Sequence, residues 1–371
     1  SKEVMLETDN KFNFKIDDKY KIKNLKIRSN LKFDRLILNY KSNRIKNYLE
    51  NYKSIVLIKD GILDIDYTEK KTSIKGTGKY SLDKNFDNFK FDITKNKNSY
   101  KFDTSIEIKS NSLKIEEIKY IKEKNIFSSV IVKGNILNGK IIDLDKILFT
   151  ENDNNFQITK IKLNEQKKIL SIDELVLDYE NTGKLKNNIK LVRIDNNYIL
   201  EGNSLDFSKY LNDILKSKDD KSFLNNFKNL DSVVNIDIDK VYLDNQNYLV
   251  NLNGKIYFDN NKIKKASLKS IYKNGDNFNF SVNSTNDEKV ITLYSDNAEP
   301  FVRKFDFVKD FKNGKLDFYS VKKNNISNSN LKINDFKLNE LPALTKILTL
   351  ASLQGIADLL TGEGIRFNEF E

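Results

Sequence analysis

The run LNGKIYFDNNKIKKASLKSIYKNGDNFNFSVN, residues 252–283, decides how the chain is to be read. It parses as strand, turn, strand, turn, strand. Apolar residues alternate with Lys, Ser and Asn, and the runs are separated by short Asn, Asp and Gly clusters. Residues 132–163, VKGNILNGKIIDLDKILFTENDNNFQITKIKL, follow the same grammar. Recurrence of one supersecondary unit points to a stack built by repetition.

Outward from these runs the same period-2 pattern holds. FNFKI sets Phe12, Phe14 and Ile16 on one face and Asn13 and Lys15 on the other. YKIKNLKI continues it with Tyr20 and Ile22, then Leu25 and Ile27 after a one-residue phase change at Asn24. GILDIDY, SLKIEEIKYI, FQITKIKL, VVNIDIDKVYL and VITLYS are each about strand length. KDG, LNG, DNN and KNG are read as hairpin turns between them. No βαβ rhythm is present. The expected fold is mostly β: a long antiparallel meander of on the order of 25 to 30 strands, apolar on one face and polar on the other. So many strands predict a sheet curled into an extended groove, with a few short amphipathic helices. Residues 1–371 are read as one continuous repetitive segment.

Three stretches break the alternation. Residues 203–230 carry Phe207, Tyr210, Leu211, Ile214 and Leu215 at helical spacing and predict a helical insertion with a polar middle, KSKDDKS. Residues 297–312 predict a short helix, with Pro300 in its first turn. Residues 341–361 predict a helical element whose stripe includes Leu344, Ile347, Leu348, Leu350, Leu353, Ile356, Leu359 and Leu360. Gly355 breaks it and TGEG ends it. Lys346, Gln354 and Asp358 interrupt its apolar surface, so it reads as an amphipathic pair that caps or divides the groove rather than a membrane span.

Composition removes many chemistries. The 371 residues are 32% charged and 39% hydrophobic, enough for a sizeable core. With no cysteine, disulfides and thiolate metal sites are excluded. With no histidine, Ser-His-Asp, Cys-His and His-zinc chemistry go too. The net charge is +11, but the lysines alternate with apolar residues and are interleaved with 53 acidic ones. That is a solvated polar face rather than a nucleic-acid surface, with a modest attraction to anionic lipid head groups left open. No signal peptide or spanning run is present, and the abrupt ends read as a piece cut from something longer.

GTG at Gly76 and TGEG at Thr361 lack P-loop and Rossmann spacing and are read as a hairpin and a helix C-cap. The carboxylate pairs Glu116-Glu117, Asp219-Asp220 and Asp287-Glu288 lie among lysines and are read as solvated. No catalytic constellation stands out, so a non-enzyme without cofactor or metal is expected. What remains is the apolar face. It is either an ordinary core or a trough covered by lipid acyl chains. Too few helices are present to cover the whole face, which leans toward a sheet closing on itself or on a ligand. Lining candidates are Phe12, Phe14, Ile16, Ile22, Leu25 and Ile27, and further along Val290, Thr292, Tyr294, Leu316 and Phe318. Hydrophobicity alone sets which face is inward.

The run from residue 293 to the end resembles the AsmA-like proteins of the YhdP type, in their alphaproteobacterial form. The family pattern is a strand ending S-x-[ND]-A, a short helix, G-x-L-x-[LF], a strand L-x-[IV]-x-[DN]-F-x-L, then PAL-x-x-[IL]-L-x-LASL-x-G-[IL]-x-[DN]-LL-x-GEGI-x-F. Those positions hold Ser295, Asn297 and Ala298; Gly314, Leu316 and Phe318; Leu331, Ile333, Asp335, Phe336 and Leu338; and Pro342 onward through Gly362 to Phe367. Upstream, EGNSLDFSKYLNDIL is similar to another helix of the family, and the remainder agrees in style only. Lys and Asn enrichment and the end at Glu371 depart from the pattern.

The resemblance implies a protein anchored in the inner membrane by an N-terminal helix absent from this chain and extending through the Gram-negative periplasm. It implies a curled sheet with a hydrophobic groove that moves phospholipid toward the outer membrane, and it carries over no catalytic residue. The expected function is that of a segment of a bridge-like lipid-transfer protein, monomeric, touching both membranes through parts this chain lacks. The alternative is a structural or assembly protein of the envelope with a dry β core. An outer-membrane barrel and a nucleic-acid binder are more distant readings.

Overall fold

The computed structural model describes residues 5–49, 52, 54–209, 223–285, 287–302, 311–324, 326–338 and 365–370. The protein is mostly β: among the described residues, twenty strands belong to one open, antiparallel-dominated sheet that does not close into a barrel. By contacts the chain divides into two compact units, residues Ser1–Asn187 with Asn226–Lys228, and Asn188–Asn225 with Asn229–Glu371.

The first unit begins with β1 (Leu6–Ile16), β2 (Ile22–Asn39), β3 (Ile55–Thr68), β4 (Lys71–Ser81), β5 (Asp87–Asn96) and β6 (Ser99–Glu107). A strap follows, made of β7 (Leu113–Ile115), a 3-10 turn (Glu116–Ile118) and β8 (Tyr120–Lys122). The meander then resumes with β9 (Ser129–Leu137), β10 (Ile141–Glu151), β11 (Asn154–Leu163) and β12 (Ile169–Glu180). Each strand pairs antiparallel with the next, and β6 pairs directly with β9 across the strap. The phase change at Asn24 is a bulge: the β1–β2 register shifts between Asn13 and Lys15, and Asn24 has φ 57°. It keeps Ile22, Leu25 and Ile27 on the face of Phe12, Phe14 and Ile16. On the other face, cross-strand pairs such as Arg28–Asp66 (3.2 Å) and Lys133–Asp103 (2.7 Å) dispose of the interleaved charges.

The second unit comprises β13 (Lys186–Ile194), β14 (Asn197–Asp206), β15 (Ser232–Tyr242), β16 (Tyr248–Asp259), β17 (Lys262–Tyr272), β18 (Asn277–Ser284), β19 (Glu288–Ser295), β20 (Phe311–Lys323), β21 (Ile326–Leu338) and β22 (Ile365–Phe370). Pairing is antiparallel except between β14 and β15, which run parallel. Parallel neighbours cannot be joined by a hairpin and need a crossover of a dozen or more residues. The connection spans residues 207–231, all but the last within the stretch read as a helical insertion; residues 210–222, with Tyr210, Leu211, Ile214 and Leu215 of that reading, lie outside the described residues. The first residues of that stretch, 203–206, belong to β14, and Phe223–Asn226 form a 3-10 turn. Of the helix expected at 297–312, Glu299–Val302 are helical, and Phe311 and Lys312 already belong to β20. The element expected at 341–361, with all eight residues of its stripe, lies outside the described residues.

Among the described residues fewer and longer strands form than the turn signals suggest. Asp60 of KDG has φ 51° inside β3, and Asn313 and Gly314 of the second KNG have φ 64° and 83° inside β20. Neither is a hairpin: at Asp60 the β3–β4 register shifts between Lys59 and Ile62, while the β20–β21 register runs unchanged past Asn313 and Gly314. Positive φ serves a bulge and a type I′ turn equally, so the residue types are the same. GTG is likewise mid-strand in β4, where Gly76 and Gly78 sit opposite Phe91 and Phe89. SLKIEEIKYI is not one strand either: Lys119 at φ 52° turns the chain, and the stretch becomes most of the strap.

Candidate functional site

In the first unit, cross-strand register lines up apolar side chains in rows that run across the strands. One row passes from Ile65 through Ile74, Ile93, Phe102, Gly134, Leu144 and Ile161 to Ile172. A neighbouring row runs from Leu63 through Gly76, Phe91, Thr104, Val132, Ile147 and Ile158 to Leu175. Period-2 strands in fixed register produce such rows, because directly paired residues share a face. Ile65, Ile74, Ile93 and Phe102 have apolar neighbours on the flanking strands yet none is fully buried. Toward β1 the face opens further: Phe12 is 63% exposed, Ile16 59% and Ile22 57%, while Leu25 and Ile27 are half-buried.

Glycines shape this face. A Cβ at Gly61 would collide with the ring of Phe33, and one at Gly76 with the ring of Phe91. Each phenylalanine lies over the glycine it pairs with, which covers the backbone without raising the surface there.

The strap closes one edge of the face. Tyr120 is buried against Phe149, Phe156 and Tyr179, and its hydroxyl donates to Glu151. Burial, then the Glu151 hydrogen bond and charge, push the Tyr120 pKa up. Lys122 is fully buried; its Nζ donates to the carbonyls of Lys109 (3.0 Å) and Asn111 (2.7 Å). Burial lowers its pKa, and the carboxylates of Asp87 and Glu151 oppose that shift. The Tyr179 hydroxyl donates to the Ile118 carbonyl at 3.0 Å, and Asp87 accepts from Ser110, tying the strap to strand ends.

In the second unit a corresponding row runs from Leu191 through Leu200, Ile236, Gly254, Leu268, Phe280, Leu293 and Phe318 to Leu331. Here the face is packed: Leu268 is 9% exposed and Leu293 4%, with Ala298, Phe301 and Val302 in the same cluster. Phe301 stacks on Phe278, and Phe336 stacks between Phe311 and Phe367.

The residues named from the sequence therefore fall in three places. Phe12, Phe14, Ile16, Ile22, Leu25 and Ile27 share the apolar face of the first unit. Leu316 and Phe318 share the packed face of the second with their partners Ser295 and Leu293. Val290 and Tyr294 pair with Val321 and Asp317 and lie on the opposite face, as does Thr292 beside Tyr319. VITLYS is apolar in both phases, so hydrophobicity does not choose between them. There the Tyr294 hydroxyl donates to Asp296; that bond and its charge push the tyrosine up to about 12 and hold the aspartate below its usual value. The strap's role was not legible from the residue letters, because a buried Lys122 has the same letter as a solvated one. The Gly-Phe pairs were hidden by their sequence separation.

Among the described residues no helix is long and apolar enough to cross a membrane. No family model matches the chain, and no match to it is found among the curated proteins or the solved structures.

Proposed function

We propose that the chain is a segment of a bridge-like lipid-transfer protein of the Gram-negative periplasm, akin to the AsmA-like proteins of the YhdP type. In this reading the first unit's apolar face is a trough. Acyl chains lie along its rows, perpendicular to the strands, while head groups stay in water. The observation that carries the reading is the set of apolar rows whose side chains stay half-buried from β3 to β10, before the first row ends in the buried Ile161 and Ile172, and which are continued on the other side by the exposed Phe12, Ile16 and Ile22. Each methylene that leaves water for such a face contributes about 0.8 kcal/mol, so a single chain supplies ample binding energy. Continuous rows offer equivalent neighbouring positions, which suits sliding better than fixed capture. The role is carriage and not catalysis. The residue pattern after position 293 supports the family and, through it, tethering to the inner membrane and delivery toward the outer one.

A dry structural core in an envelope assembly protein is the second reading, favoured by the second unit, where Ile238, Val241 and Leu249 are each 1% exposed. Lipid extraction separates the two. The purified wild type is expected to carry phospholipid, and Ile16→Glu or Ile27→Glu to lose it with an unchanged circular dichroism spectrum. Wild-type protein free of lipid after exposure to phospholipid vesicles would sink the transfer reading.

A further inference from the structure

In the first unit's meander every second connection falls on the same edge. The turns at 17–21, 69–70, 97–98, 138–140 and 164–168 therefore line one rim, opposite the strap. Three of them, 97–98, 138–140 and 164–168, bring net positive charge through the exposed Lys97, Lys140 and Lys167, although Glu165 sits near the last; at 17–21 and 69–70 the exposed Lys19 and Lys70 are balanced by Asp17, Asp18 and Glu69. Among the described residues no ion pair engages Lys70, Lys97, Lys140 or Lys167. The corresponding hairpin turns of the second unit, 195–196 and 260–261, hold Asp and Asn instead.

One cation reaches the apolar face itself. Lys95 alternates with Ile93 on β5, so it shares that residue's face, at the end nearest the turns. Its Nζ lies 5.5 Å from the ring centre of Tyr100, which is 40% exposed. A cation beside a tyrosine where an apolar surface meets water is the pairing that suits a lipid's interfacial region.

We propose that this rim selects anionic glycerophospholipids: the acyl chains occupy the apolar rows and the phosphate-bearing head group is held at Lys95 and the turn lysines. The occupant is a single lipid, because the rim continues an apolar face and does not stand apart from it. The inference rests on the transfer reading.

The test incubates the full chain with vesicles of equal phosphatidylcholine and phosphatidylglycerol, removes them by flotation, and measures protein-bound lipid. Wild type is expected to hold phosphatidylglycerol over phosphatidylcholine by about threefold or more. Replacing Lys95, Lys97, Lys140 and Lys167 together by glutamine should bring the ratio near one with total lipid unchanged. Lys84→Gln with Lys124→Gln, on the strap side, should keep the wild-type ratio. Equal loading of the two lipids in wild type overturns the rim and leaves the transfer reading standing, and so does a ratio that survives the fourfold substitution. No bound lipid overturns both. Protein that floats with intact vesicles while carrying none, or that binds only inorganic phosphate, also overturns it.

Discussion

Phe91 lies across from Gly76, and its ring occupies the space a Cβ would take. Gly76→Val should therefore cost about 1–3 kcal/mol, the usual range for overpacking a fitted site, measured by denaturant unfolding. In the Phe91→Ala background the same substitution should cost less, because the two changes share one space. Strictly additive costs would show that ring and glycine are independent. GTG invites a hairpin reading because glycine serves turns, bulges and close approaches alike. Which of these applies depends on a residue fifteen positions away, and no local pattern records that.

The strap is the element that decides whether one edge of the first unit's apolar face is open or closed. Its buried Lys122 ammonium donates to the carbonyl of the buried Asn111 and to that of Lys109, which also accepts from the Asn125 amide. Lys122→Met should remove about 1–3 kcal/mol of local stability, the cost of leaving a buried acceptor unmade. Hydrogen exchange should quicken at the Ile108 and Asn125 amides, which donate to Ser128 and Lys109, and stay slow in β10 and β11. Uniform exchange across strap and sheet would argue against a separately held element. Most strands were legible from alternation alone, including the two three-stranded runs at 132–163 and 252–283. The strap was not, because its apolar letters alternate like a strand's while Lys119 turns the chain between them.

Over the whole molecule, two units of similar alternation hold their apolar faces differently. Leu268→Lys places a charge in a packed cluster and should destabilise the protein by about 3–5 kcal/mol, the cost of an uncompensated buried charge. Ile16→Lys, on an exposed strand, should change stability by no more than about 0.5 kcal/mol. Thermal unfolding of the two variants checks this, and equal shifts would mean that the faces do not differ. Alternation by itself determined the β class, the two-faced strands and the bulge at Asn24, since strand periodicity is a local property of the backbone. Tertiary structure alone decided the faces of Val290 and Tyr294, the parallel β14–β15 pairing, the Gly-Phe contacts and the lysine rim. Each of those depends on register between strands, and register is set by partners distant in sequence rather than by any residue's neighbours.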